Sequence, residues 1–105
     1  MSTYKGKPLG TIGDVGCYSF HETKNYSMGE GGALLTDDKL LFERALIYHD
    51  SSAIAYFGNQ MEDFTTEQFC GSEYRANELC AAVLGVQLTR MDGILADNRK
   101  NKAAL

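Results

Sequence analysis

The segment Ser19-Phe20-His21-Glu22-Thr23-Lys24-Asn25-Tyr26 decides how this chain is interpreted. It follows residues 15–20, whose alternating side chains predict a strand. A glycine-rich stretch over 29–32 comes next and predicts a tight return of the backbone. Residues 33–36 form a short, largely apolar run, which is typical of a buried strand. The opening segment therefore begins at the end of one strand and runs through the loop that leads to the next.

Two side chains of this segment, Ser19 and Lys24, are the candidate binding residues. A lysine at a strand-to-loop junction can form a Schiff base with a carbonyl group. A serine hydroxyl a short step away can donate a hydrogen bond to a phosphate. Pyridoxal 5′-phosphate needs both of these anchors from the protein. Each residue also has an ordinary alternative, since most lysines are solvated and a serine can simply bond to the backbone.

The rest of the chain predicts helices separated by a long loop. Capping residues at 36–38 predict a helix over 38–49, whereas residues 50–72 show no period and predict a loop. From about Asn77 an apolar stripe predicts a long helix that bends or ends near Gly93 and frays over 97–102. Residues 1–13 predict a loop or a short edge segment. Cys17 and Cys80 lie within apolar patterns and are expected in the core.

Composition limits the class of protein. The 105 residues suffice for a single partial domain over 1–105, with a marginal core. A net charge of −4 argues against nucleic acid or an anionic membrane as partner. No apolar stretch reaches the roughly 20 residues that span a bilayer. Three scattered cysteines favour a reducing cytoplasm, and two histidines without spaced carboxylates predict no metal site.

The chain resembles the DegT/DnrJ/EryC1/StrS family of aminotransferases, in which the segment around Lys24 is a signature. The resemblance covers nearly the whole chain and extends to further blocks in family order: Tyr4-Lys5-Gly6-Lys7, Gly10-Thr11-Ile12-Gly13-Asp14-Val15-Gly16, Glu30-Gly31-Gly32-Ala33 and Tyr74-Arg75-Ala76-Asn77-Glu78-Leu79. It identifies the chain as a central slice of a longer enzyme.

The resemblance implies a fold, a cofactor and a reaction. The fold is α/β, part of a fold-type I large domain like that of aspartate aminotransferase, with two short antiparallel strands and two helices. Lys24 would hold pyridoxal 5′-phosphate as a covalent aldimine and shuttle a proton, and Ser19 would contact the cofactor phosphate. The parent enzyme would move an amino group, from glutamate, onto a nucleotide-linked 4-keto-6-deoxy sugar. Family members are dimers with shared active sites, so a homo-oligomer is expected.

Two departures from the family limit these expectations. Glu73 stands where many members have an asparagine that reaches the neighbour's cofactor phosphate, and a carboxylate there would repel phosphate. Arg75 beside it could help to bind a substrate carboxylate or form a structural salt bridge. The family's aspartate for the pyridinium nitrogen lies upstream of residue 1, so the isolated chain is expected to be a poor transaminase.

Three interpretations therefore stay open. The chain can represent the parent enzyme, or it can be a non-catalytic remnant or self-associating module of the same ancestry. A sugar dehydratase is disfavoured, because those relatives carry histidine in place of the lysine that is present here as Lys24.

Overall fold

The computed structural model describes residues 2–51 and 64–105 of the chain. Its elements form two small antiparallel sheets and three helices, which in chain order are β1 (Thr3–Tyr4), β2 (Lys7–Pro8), β3 (Gly16–Ser19), β4 (Gly32–Leu35), α1 (Lys39–His49), α2 (Glu78–Thr89) and α3 (Met91–Ala103). The first sheet is a minimal hairpin of β1 and β2 within the predicted edge segment. The predicted loop over 50–72 lies mostly outside the described residues.

The second sheet pairs β3 with β4 and confirms the two strands predicted around the loop. Gly16 is opposite Leu35 at one end of the pair, and Ser19 is opposite Gly32 at the other. The prediction that the second strand is buried is wrong, because all four residues of β4 are exposed. Cys17, expected in the core, is also exposed, and Cys80 is only partly buried. The sheet has just two strands, and burial of both faces requires further layers.

Helix α1 begins where the capping residues predicted. The Asp38 carboxylate accepts a hydrogen bond of 2.9 Å from the Leu41 amide, which satisfies one of the free N–H groups at the helix start. Two side chains of α1, Ile47 and Glu43, are completely buried. Among the described residues, the buried apolar side chains are Ile47 and Met28, so the core is small.

A loop segment after residue 70 packs closely against the end of α1. The Ser72 amide donates to the Tyr48 carbonyl at 2.7 Å, and the Tyr74 amide donates to the His49 carbonyl at 2.8 Å. The rings of Tyr48 and Tyr74 stack with centroids 5.9 Å apart. Gly71 makes this approach possible, since a Cβ there would lie 2.5 Å from the Tyr48 carbonyl oxygen.

The predicted long helix is divided into α2 and α3, which meet at an angle of 60°. The break lies at Arg90 and not at Gly93, which is inside α3. The Arg90 amide bonds to both the Gln87 and Leu88 carbonyls, so α2 tightens and ends there. Residues 97–102, expected to fray, are helical. No single helix in the described ranges is long and apolar enough to cross a membrane.

Candidate functional site

The loop that follows β3 is closed at its base by backbone hydrogen bonds to the segment before β4. The Phe20 amide donates to the Gly31 carbonyl at 2.8 Å, and the Met28 amide donates to the Phe20 carbonyl at 2.9 Å. Met28 is only 4% exposed, and its buried side chain anchors the loop. The candidate residues are therefore on a loop whose two ends are fixed.

Within the loop, Lys24 lies on a turn that His21 organises. The Lys24 amide donates to the His21 carbonyl at 2.9 Å. The His21 Nδ1 atom lies 3.0 Å from the Thr23 hydroxyl and accepts from the Thr23 amide at 3.3 Å. Its Nε2 atom lies 3.4 Å from a Glu30 carboxylate oxygen, a contact that becomes an ion pair when His21 is protonated. His21 is thus occupied on both ring nitrogens in shaping the loop.

Ser27 is a structural residue of this loop that sequence reasoning missed. Its hydroxyl donates to the Phe20 carbonyl at 3.2 Å and accepts from the Gly29 amide at 2.9 Å. Gly29 has φ of +88°, which favours glycine at the return towards β4. A serine two residues before a glycine in a predicted turn is the signal that could have indicated this role.

The side chains of Ser19 and Lys24 are exposed and largely uncommitted. Ser19 is at the loop end of the β3–β4 pair, opposite Gly32. Its hydroxyl oxygen accepts a long 3.4 Å hydrogen bond from the His21 amide, which leaves its O–H free to donate. Within residues 2–51 and 64–105, the Lys24 ammonium group makes no hydrogen bond or ion pair. The loop thus presents an amine and a hydroxyl donor to solvent.

The turn containing Glu73 and Arg75 is held by its own contacts. A Glu73 carboxylate oxygen accepts from the Arg75 amide at 2.9 Å. The Arg75 Nε atom lies 3.1 Å from a carboxylate oxygen of Asp50, which is buried at the end of α1. Of the two roles left open for Arg75, the structural salt bridge is the one present here. Across the described part of the chain, no hydrogen bond or ion pair joins this turn to residues 19–26.

A buried carboxylate, Glu43, forms the most extensive polar network of the described residues. Its oxygens accept from the amides and hydroxyls of Thr65 and Thr66, with the shortest contact, 2.5 Å, to the Thr66 hydroxyl. The Lys39 Nζ atom lies 3.7 Å from a Glu43 carboxylate oxygen. The Thr66 hydroxyl bond and the further bonds from Thr65 and Thr66 outweigh desolvation and lower the pKa of Glu43 to about 2. This network fixes the segment at 65–66 to α1 and is distant in sequence from the loop.

Comparison with known proteins identifies relatives across the whole chain. A family model described as the DegT/DnrJ/EryC1/StrS aminotransferase family matches residues 1–105. The GDP-perosamine synthase of Escherichia coli O157:H7 is 34% identical, over 94% of this chain and 26% of its own length. A putative L-glutamine:3-amino-2,3-dideoxy-scyllo-inosose aminotransferase of Micromonospora echinospora is 38% identical, over 90% of this chain and 22% of its own. The chain therefore spans about a quarter of the length of these relatives.

Comparison with solved structures shows which fold this chain has. The Escherichia coli GDP-4-keto-6-deoxy-D-mannose-3-dehydratase with bound hydrated PLP superposes with a TM-score of 0.79, at 22% identity, over 96% of this chain and 29% of that one. An aminotransferase from Psychrobacter cryohalolentis has a TM-score of 0.69 at 31% identity, over 87% of this chain and 24% of that one. The predicted α/β fold, part of a fold-type I large domain, is confirmed, and the structure adds the β1–β2 hairpin and a third helix.

Proposed function

The chain belongs to the DegT/DnrJ/EryC1/StrS aminotransferase family, and from this membership we propose that it carries the cofactor-binding lysine of a pyridoxal-phosphate-dependent aminotransferase. Lys24 is that lysine in the proposal, and Ser19 is the phosphate-contacting hydroxyl. The observation that carries the proposal is the fixed loop on which both groups are exposed and uncommitted. Residues 1–105 would then form one partial domain of the active enzyme.

The residues on the loop fit pyridoxal phosphate by their chemistry. A primary amine can bind the cofactor's aldehyde, and a free hydroxyl hydrogen can be donated to its phosphate. When bound, the cofactor supplies the electron sink that lets an amino group move between carbon skeletons. Lys24 Nζ is also the group on this loop that can carry a proton to or from the substrate carbon. His21 supports both functions indirectly, because its contacts set the turn on which Lys24 lies.

For the reaction of the parent enzyme, we propose transfer of an amino group from glutamate to a nucleotide-linked 4-keto-6-deoxy sugar. Support comes from two relatives named GDP-perosamine synthase, in Escherichia coli and Vibrio cholerae. Other relatives are named as L-glutamine:2-deoxy-scyllo-inosose aminotransferases, which makes glutamine and a cyclic polyol ketone the competing pair. A comparison of glutamate with glutamine as donor in the complete enzyme separates these alternatives. The unpaired cysteines fit a cytoplasmic location.

A second candidate is a self-associating module without activity of its own. It is favoured by the exposed apolar residues of α2, where Leu79 is 81% exposed and Val83 and Val86 are also open to solvent. Apolar surface of this kind promotes association between copies. In this interpretation the chain is a homo-oligomer and a poor transaminase in isolation. Incubation with glutamate and a keto sugar, followed by assay for 2-oxoglutarate, tests the missing activity.

The proposal for Lys24 is tested by adding pyridoxal phosphate to the chain and then borohydride. We expect a visible absorption band that borohydride converts into a covalent label, and we expect Lys24→Ala to lose both. Lys100→Ala is the matched control, since Lys100 is an exposed lysine at the other end of the chain. Ser19→Ala should keep the label but weaken cofactor affinity by about tenfold, because one hydrogen bond to a charged acceptor is lost. Equal labelling of wild type and Lys24→Ala would refute the assignment.

A further inference from the structure

A shallow cleft of about 210 Å³ lies beside the candidate loop and is lined by polar and basic residues and one leucine. Its lining consists of Ser2, Asn25, Leu95, Asn98, Arg99 and Lys102. Asn25 is the residue after Lys24, so the cleft touches the candidate loop at this one residue. The remaining residues apart from Ser2 come from α3.

The helical spacing of α3 explains why these side chains converge. Residues 95, 98, 99 and 102 are separated by three, four and seven positions, which places them on one face of the helix. That face is tied to the loop by a hydrogen bond of 3.4 Å from the Asn98 side-chain amide to the Asn25 side-chain oxygen. The loop and the basic face are therefore joined at a defined point.

The lining of the cleft carries a positive charge that no acidic residue of the lining balances. Arg99 and Lys102 are exposed, and neither forms an ion pair with another residue of the described ranges. The lining contains no aspartate or glutamate, although the chain as a whole carries a net charge of −4. A guanidinium group binds phosphate through two parallel hydrogen bonds, and a lysine adds a point charge. The amide and hydroxyl groups of Asn25, Asn98 and Ser2 supply neutral donors.

From this arrangement we infer that the cleft is an anion subsite for a phosphoryl group of the substrate, with Arg99 and Lys102 as its ligands. The volume is smaller than the roughly 300–1,000 Å³ of sites that enclose a whole small molecule, so the cleft takes part of a ligand. The diphosphate of a nucleotide-linked sugar has the required chemistry. This identification of the substrate group rests on the proposed function, whereas the anion site itself does not.

One of the two proposed ligands, Lys102, also complements the negative end of the α3 dipole. Lys100 and Lys102 both lie in the last turn of α3 and serve that role equally. Lys100, however, does not line the cleft. Lys100→Gln is therefore the matched control that separates an anion site from a helix-stabilising charge.

The test uses inorganic diphosphate as the probe, titrated into the 105-residue chain by isothermal calorimetry at low ionic strength. We expect saturable binding that weakens at least about tenfold in the double variant Arg99→Gln/Lys102→Gln, since each charge-assisted hydrogen bond is worth about that factor. Lys100→Gln should weaken binding less than the double variant does, because Lys100 does not line the cleft and contributes only longer-range attraction. No binding by wild type, or equal losses in the double variant and in Lys100→Gln, would overturn the inference.

Borohydride trapping of pyridoxal phosphate on Lys24 separates the two sources of phosphate. If the trapped chain still binds diphosphate, the cleft is distinct from the cofactor's phosphate site, as inferred. If trapping abolishes diphosphate binding, the cleft holds the cofactor's own phosphate and the substrate assignment is wrong. Diphosphate binding that depends on Arg99 and Lys102, in a chain that traps no cofactor, would support the subsite while refuting the role of Lys24.

Discussion

Replacing Ile47 with alanine should remove a large part of the chain's stability. Ile47 is completely buried, and it is one of two buried apolar side chains in the described part of the chain. The substitution deletes three carbon groups, which at about 0.8 kcal/mol each gives about 2.4 kcal/mol of lost transfer free energy. The cavity that remains adds to this, so we expect a loss of about 2.5–4 kcal/mol in the free energy of unfolding.

That loss is large relative to the stability available. A domain of this length has a free energy of unfolding of about 5–15 kcal/mol, and the small core places this chain at the lower end. Urea unfolding followed by far-ultraviolet circular dichroism gives the measurement. With a slope of about 2 kcal/mol per M, the midpoint should fall by about 1–2 M.

A graded series makes the Ile47 prediction refutable. Ile47→Val should cost about 0.5–1.5 kcal/mol, because it removes a single methylene group from the same position. Leu40→Ala is the control in the same helix, and since Leu40 is 57% exposed it should change stability by about 0.5 kcal/mol or less. If Ile47→Ala and Leu40→Ala shift the midpoint equally, Ile47 does not form the core of this chain and the reasoning fails.

Three further perturbations test other parts of the structure by the same urea titration. The contribution of Glu43 to stability should be complete above pH 4.5 and be lost as the pH drops towards 2, because the Thr66 hydroxyl bond lowers the pKa of Glu43. Glu43→Gln should lack this part of the acid loss and be less stable at neutral pH. Gly71→Ala should cost about 1–3 kcal/mol, since the new methyl group meets the carbonyls at the end of α1. Asp38→Ala should cost about 1 kcal/mol through the lost helix cap.

Each of these perturbations has a control and an outcome that contradicts it. An identical pH dependence in wild type and Glu43→Gln would show that another group is responsible for the acid loss. Gly85→Ala, where nothing lies within 4 Å, should raise stability by about 1 kcal/mol, so equal losses at Gly71 and Gly85 would reject the steric argument. Asp37→Ala removes a neighbouring charge without the cap, and a cost equal to that of Asp38→Ala would exclude capping as the cause.

Sequence patterns that act over a few residues predicted the β3–β4 hairpin and helix α1 correctly. The alternation before Lys24, the glycines after it and the cap at Asp38 each act within a few residues, and the structure has the β3–β4 hairpin and α1 where they indicated. Exposure could not be predicted in the same way. Leu34 and Cys17 are apolar and look like core residues in sequence, yet they are exposed because burial depends on layers beyond a two-stranded sheet.

The polar features were the least predictable. A charged residue at position 43 normally faces solvent, and only the pair of threonines at 65 and 66 could have indicated a buried carboxylate with four donors. The break at Arg90 was also missed, since arginine is a good helix former and Gly93 was the stronger breaker signal. The role proposed for Lys24 rests on a resemblance to a family, because an exposed lysine carries no local sign of its chemistry.

The proposed role of Lys24 is tested most directly by mapping where borohydride fixes pyridoxal phosphate on the chain. The sequence contains six lysines, at positions 5, 7, 24, 39, 100 and 102, and peptide mass spectrometry can assign the label to each. We expect that at one equivalent of cofactor nearly all of the label is on Lys24. A label spread evenly over the exposed lysines, or concentrated on any other one, would contradict it.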